Sequence, residues 1–408
     1  MTSNLFKATW NSRDLHELRV LLALRLGNPG QYDDAIAHPN VIHVPLAGSE
    51  CRISIRYRDR RIVEIKPGPA FDSDEWEQIV RDFEGDFLNG PLKTGRNFSF
   101  CSSRVKGAWR GQKSEVQVLP PPIEAPQSYA EHPFILEFPV QTSAHSPITY
   151  RRLFREHRRI TLLLNLLCID RMSADSTPNE HCWALVPEDN SRNSTKYVQL
   201  SYMESPGSFL LDELSSTDQP SLQVRETIEY YSRFNYTSDP LTVPDELDSY
   251  LFRYHLLSID DRDRLNRAMY WLDMSSRLFH RSYSLAFSSL VTCIESLLVR
   301  GTHHNVYCEL CDRNSQHEVP GPTRKFKEFL ERFVPGRSDK KTRDNMYALR
   351  SDVLHGSSLL QADEGTRFGW DPPSWHEDNL TRDLHNLTQT SVRNWYLDEE
   401  RELVTDGL

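Results

Sequence analysis

Long apolar runs are missing from this 408-residue sequence: no stretch approaches the roughly 20 residues that a membrane-spanning helix needs, so no integral membrane segment is expected. The most apolar part near the N-terminus, Leu18 to Leu26, is interrupted by Arg19 and Arg25 and is followed by no small-residue cleavage site, so no export signal is expected either. Excess positive charge is also missing. The formal net charge is −10, with 48 Lys and Arg against 58 Asp and Glu. Such a balance speaks against a protein that coats nucleic acid without selection, because that affinity comes from neutralising many phosphates. It leaves room for a selective enzyme with a local basic surface. Paired cysteines are not apparent: the seven, at 51, 101, 168, 182, 293, 308 and 311, are odd in number, scattered and mostly set in apolar patterns. Buried free thiols in a reducing compartment are the expectation, and a cytoplasmic location with them. The sequence also lacks a Walker-type glycine loop, a GxSxG elbow, an HExxH helix and any carboxylate cluster arranged for a catalytic metal.

What is present is a change of period partway along the chain. From residue 41 to about 140 apolar residues alternate: Val41 to Leu46, then Ile53, Ile55 and Tyr57 between Arg52, Ser54 and Arg56, then Arg61 to Ile65 after an Asp59-Arg60 turn. This predicts a hairpin. Further strands are expected at Asn97 to Ser102, Glu115 to Leu119, Phe134 to Val140, Cys182 to Val186 and Tyr197 to Met203, with helices at Asp74 to Phe87 and Tyr150 to Ile169. After Pro240 and Pro244 the period becomes 3.6, which divides the chain into a mixed, β-rich domain over 1–240 and an all-α bundle over 241–408, an α+β protein. Ser258 and Asp261 open the first bundle helix, whose face carries Leu265, Met269 and Leu272. Tyr283, Phe287, Leu290, Val291, Ile294, Leu297 and Leu298 form the broad stripe of the next, expected to run to Gly301. An insertion at 302–322 precedes helices at Thr323 to Phe333 and Lys340 to Leu354. Ser374 and Glu377 look like the capping box of the last helix, with Leu380, Leu384, Leu387 and Trp395 inward.

Arg350-Ser351-Asp352-Val353-Leu354-His355-Gly356 closes the fourth of these helices. Together with the long helix that carries Glu295, the basic helix before the motif and the closing helix, residues 245 to 400 resemble the Apea-like branch of the HEPN superfamily. That resemblance implies a HEPN-type bundle, usually dimeric, whose Arg and His, four residues between them, form a metal-independent ribonuclease centre of bacterial antiphage, abortive-infection defence. It assigns those roles to Arg350 and His355, with RNA as substrate, a homodimer as assembly and no cofactor for catalysis. The 1–240 domain would then sense a trigger, such as a phage-derived one, or select the RNA. Arg152 to His157 matches the same spacing, but it lies in a charged run outside the bundle, and context favours Arg350 and His355.

The pair suits the chemistry. Cutting RNA without a metal requires removing the 2′-OH proton, stabilising charge on the phosphoryl oxygens and protonating the leaving 5′-oxygen. An imidazole exchanges protons near neutrality, and a guanidinium binds phosphoryl oxygens without losing its charge. Five helical steps turn the two side chains about 140° apart, so their meeting depends on the long Arg350 side chain and on the helix end at His355. Whether His355 acts as acid, base or phosphate contact stays open. Glu295 is a candidate to orient Arg350 by an ion pair. From Thr323 to Arg343, eight basic residues face three acids, so Arg324, Lys325, Lys327, Lys340, Lys341 and Arg343 are candidate contacts to the RNA backbone, the alternative being a solvated helix face. In the insertion, Cys308 and Cys311 form one CxxC near His303, His304 and His317, a candidate structural zinc site in which His304 and His317 complete four ligands. A non-catalytic module that binds RNA or a nucleotide at Arg350 and His355 is the competing reading.

Overall fold

The computed structural model describes residues 41–45, 52–58, 61–67, 90–122, 132–174, 183–187, 195–199, 205–232, 239–279, 281–299, 301–308, 313–364 and 372–401, with single positions at 17, 74, 77, 78, 81 and 85. The architecture is α+β, with nine helices and fifteen strands among these residues. No helix among them is long and apolar enough to cross a membrane. By contacts the chain forms two units that interleave in sequence: Met1–Gly95, Pro139–Glu156 and Leu210–Glu213 make one, and Arg96–Phe138, His157–Phe209 and Leu214–Leu408 the other. The helices after residue 240 therefore share their unit with residues 96–138 and 157–209, which the change of period at Pro240 does not anticipate.

In the first unit β1 (Val41–Pro45), β2 (Arg52–Arg58) and β3 (Arg61–Pro67) form an antiparallel sheet in that order. The alternation of Ile53, Ile55 and Tyr57 with polar residues is the local cause, and the register shifts between Arg56 and Tyr57. Of the helix expected from Asp74 to Phe87, only 74, 77, 78, 81 and 85 are described, each of them helical; the rest lies outside the described residues.

In another sheet, β4 (Leu92–Cys101), β5 (Trp109–Arg110), β6 (Gln117–Leu119) and β7 (His132–Gln141) stand in the order β4-β7-β6-β5. Helix α1 (Ser146–Leu167) follows, and β8 (Met172–Ser173) returns to pair with β4 through Cys101 and Phe100. Glu137 is fully buried in this sheet, which is tolerable only because Arg96 forms an ion pair with it at 2.6 Å and Ser215 donates from both its backbone and its hydroxyl. A hairpin of β9 (Trp183–Pro187) and β10 (Thr195–Gln199), the strand β11 (Leu210–Leu211), and a parallel pair of β12 (Gln223–Arg225) and β13 (Thr242–Pro244) complete the strands before the bundle. Helix α2 (Thr227–Ser232) lies between the last two.

The bundle comprises α3 (Leu247–Leu256), α4 (Ile259–Leu278), α5 (Tyr283–Glu295), α6 (Pro322–Phe333), α7 (Lys340–Leu354), the short α8 (Gln361–Glu364) and α9 (Pro372–Leu397). Central among them is α5, which packs against α4, α6, α7, α8 and α9, and its Phe287, Leu290, Val291 and Ile294 are fully buried. Helix starts follow local capping chemistry. Ser258 accepts from the Asp261 N–H at α4, Ser282 from Leu285 at α5 and Asp339 from Thr342 at α7. Asp363 adds a cap from outside the helix, accepting from the Tyr283 and Ser284 N–H groups and the Ser282 hydroxyl, each at 2.8 Å.

Two helix ends differ from expectation. Helix α5 stops at Glu295 instead of reaching Gly301, and Leu297 is buried in the turn that follows. Helix α9 begins at Pro372, so Ser374 is inside the first turn and not its cap. Proline suits that turn, whose N–H groups have no helical partners in any case. Glu377 instead reaches back to the Gln361 N–H of α8 at 2.8 Å. The insertion at 302–322 contains an antiparallel hairpin, β14 (Thr302–Cys308) and β15 (Arg313–Val319), in which β-branched and aromatic residues are few and the sequence pattern was correspondingly silent.

Candidate active site at the end of helix α7

Helix α7 ends in a Schellman motif: the Ser357 N–H donates to the Asp352 carbonyl at 2.8 Å and the Gly356 N–H to the Val353 carbonyl at 3.1 Å, with Gly356 at φ +71°. His355 is the last residue before that glycine, and its own N–H still bonds the Ser351 carbonyl at 2.9 Å. The sharp left-handed turn that follows leaves His355 exposed. Leu354 and Leu359, on either side of this turn, are about half exposed.

Arg350 lies one and a half turns earlier and is held from two sides. Its Nη2 donates to Glu295 Oε2 at 2.6 Å, and the Tyr347 hydroxyl donates to the other oxygen, Glu295 Oε1, at 3.0 Å. The guanidinium also stands 5.7 Å from the Tyr347 ring centroid. Burial, reinforced by the Glu295 carboxylate, pushes the Tyr347 phenol up to about 12, so it remains a donor throughout the working pH range. Glu295 is the last residue of α5, where a carboxylate opposes the helix dipole. Its two partners on α7 compensate, and the three residues form one bridge between the helices. Arg350 Nε is enclosed without a hydrogen-bond partner among the described residues.

Tyr347 was not singled out in the sequence. Its position three residues before Arg350, on the same face of α7, is the signal that would have found it.

The basic segment turns out to be largely neutralised. Arg343 is buried and paired with Glu331 and Ser338, so it belongs to the interior and not to a track for RNA. Lys327 pairs with Asp344, Arg324 with Glu328 at 2.6 Å, and Lys325 donates to the Val299 carbonyl at 2.7 Å. Arg332 meets Asp398 and Glu400 at 2.9 and 3.0 Å. Lys340 and Lys341 are exposed at the start of α7.

The alternative Arg152 to His157 spacing is structural on both counts. Arg152 is buried against Glu17 at 3.1 Å and donates to the Thr142 carbonyl at 3.1 Å. His157 is buried, 2.8 Å from Ser99 Oγ and stacked on Phe138 at 5.9 Å.

In the insertion, His304 and His317 are register partners across the hairpin, Cys308 pairs with Arg313, and Cys311 lies outside the described residues. Cys101, Cys168 and Cys293 are buried free thiols, each held above the ordinary thiol range by desolvation.

Compared with protein-family models, with curated proteins and with solved structures, the chain finds no match.

Proposed function

We propose that this chain is a metal-independent RNA endonuclease of the bacterial antiphage, abortive-infection type, acting at Arg350 and His355 as a homodimer. The observation that carries this reading is the placement of His355, exposed at the Schellman turn that ends α7, one and a half turns beyond an Arg350 fixed by Glu295 and Tyr347. A proton-exchanging group and a permanent cation at one open helix end are what transesterification needs. The 2′-oxygen forms its bond to phosphorus as the bond to the 5′-oxygen breaks. The 2′-OH proton leaves to a base, and the 5′-oxygen takes a proton from an acid, giving a 2′,3′-cyclic phosphate and a 5′-OH. His355 serves one of these proton transfers, Arg350 holds the phosphoryl oxygens, and Glu295 with Tyr347 positions Arg350. A twofold assembly doubles the few groups available, and the exposed Leu354 and Leu359 beside His355 suit a contact between copies. The remaining half of the chain supplies selection of the RNA or response to a trigger such as a phage component.

Purified protein incubated with total RNA in EDTA should cut it to 2′,3′-cyclic phosphate ends. Arg350→Ala and His355→Ala should each lose about a hundredfold or more in rate, while Arg152 and His157 substitutions act only through folding. Light scattering at micromolar concentration should give a dimer. RNA binding without cleavage would move the reading to a non-catalytic RNA- or nucleotide-binding module; full activity in both alanine variants would remove the site altogether.

A further inference from the structure

The stripes that build the bundle are interrupted at one place. Along α4 the buried face runs Leu265, Met269 and Leu272, and the next positions of that face are Ser275 and Ser276. On α9, Asp378, Arg382 and His385 stand at i, i+4 and i+7 on a face beside the one that buries Leu380, Leu384 and Leu387. These two polar breaks line the same cavity, of about 450 Å³, together with Arg171, Phe279 and Tyr283. No part of the Arg350 and His355 site contributes to it.

Each component has a chemical meaning. Ser275, only 2% exposed, and Ser276 bring hydroxyl-bearing side chains to the lining. Arg171 and Arg382 bring two guanidinium groups to the walls, where Asp378 is the one carboxylate among the lining residues, and Arg171 also faces the charge of Asp273 behind the wall. Arg382 is exposed and makes no ion pair among the described residues. Phe279 and Tyr283 lie with ring centroids 4.6 Å apart, and Phe279 leaves 38% of its surface open. Burial and the neighbouring Arg171 charge lower His385 to about 4, so at neutral pH it offers one N–H and one bare nitrogen. Volume and composition match those of small-molecule sites, which are mostly apolar with a few convergent polar groups.

We infer that this cavity is a binding site for a nucleoside phosphate, with the base against Phe279 and Tyr283, the phosphate between Arg171 and Arg382 with the Ser275 hydroxyl, and the sugar or base donors toward Asp378. An inorganic anion alone would leave the aromatic wall and most of the volume unused. A volume of about 450 Å³ is that of a site for one small ligand, so a mononucleotide is the occupant inferred. The inference does not depend on the nuclease reading, because the two sites share no residue.

Calorimetric titration of the full chain with AMP, GMP, CMP, UMP and ATP tests it. At least one should bind saturably, one per chain, with a Kd below about 100 μM. Adenosine and inorganic phosphate should each bind at least tenfold more weakly than that nucleotide. Arg382→Glu changes an exposed residue, and a melting temperature equal to wild type confirms its fold; it should weaken binding at least tenfold, as should Arg171→Gln. Binding should persist in Arg350→Ala. The inference is overturned if all five nucleotides bind with Kd above about 1 mM, if binding is unchanged in the correctly folded Arg382→Glu protein, or if Arg350→Ala abolishes it.

Discussion

Arg343 and the exposed pair Lys340 and Lys341 illustrate how one charge type takes opposite parts. They lie at most three positions apart on one helix, yet Arg343 is turned inward to Glu331 and Ser338 while the lysines face solvent. Arg343→Ala should therefore lower stability by about 1 to 3 kcal/mol, since it removes hydrogen bonds to a charged group from a buried position. RNA affinity at a temperature where the variant is folded should be unchanged. Lys340→Glu with Lys341→Glu should do the reverse, leaving the melting temperature near wild type and weakening RNA binding, with a shallower dependence on salt. Chemical denaturation and filter binding on the same preparations decide between the two patterns; a loss of affinity in folded Arg343→Ala would restore that residue to the binding surface.

Helix α7 is an element whose two ends are fixed by neighbours in sequence, Asp339 at the start and Gly356 at the finish. The glycine matters for its backbone and not for space: a Cβ there would meet nothing within 4 Å, but φ is +71°. Gly356→Ala should cost about 1 to 2 kcal/mol through the left-handed conformation alone. Because the same turn sets the direction in which the chain leaves His355, cleavage should fall by more than the loss of folded protein explains. Rates corrected for the folded fraction provide the check, and a corrected rate equal to wild type would show that His355 is placed independently of the turn.

For the whole molecule, the linkage between proton binding and folding has a traceable source in His385. Burial, then the Arg171 charge, lowers it to about 4 in the folded protein, below its ordinary value near 6.5. Between those two values the unfolded chain binds a proton that the folded chain does not, so this residue makes stability fall as pH drops from about 6.5 to 4. Above pH 6.5 both states are neutral there and the contribution is flat. His385→Asn should flatten the acid limb by about 3 kcal/mol at most, given roughly 1.4 kcal/mol per pH unit. Denaturant titrations of both proteins from pH 7 to 4 measure the difference; parallel curves would place the acid sensitivity in the carboxylates. Asp363 acts in a lower window. Burial would raise it, but the hydrogen bonds from Ser284, Ser282 and Tyr283 outweigh burial and hold it below the ordinary carboxylate range, so its contribution is lost only on acidification through that lowered value.

The sequence by itself determined what short-range chemistry controls. Caps at Ser258 and Gly356, the periods of two in β1 to β3 and of 3.6 in α4, α5 and α9, and the position of His355 at a helix end all follow from residues within a turn or a hairpin of each other. The Glu295 and Arg350 ion pair was legible only as a possibility of facing helices. Tertiary structure decided everything that couples distant residues: the neutralisation of the basic segment by Asp344, Asp398 and Glu400, the burial of Arg152 and Arg343, and the meeting of Arg171 with Arg382 and His385 in one cavity. It also joined residues 96–138 and 157–209 to the helices after 240 in one unit. The reason is physical. Hydrogen bonds of caps and turns close within a few residues, whereas Coulomb pairing and packing depend on distance in space, which sequence separation does not set.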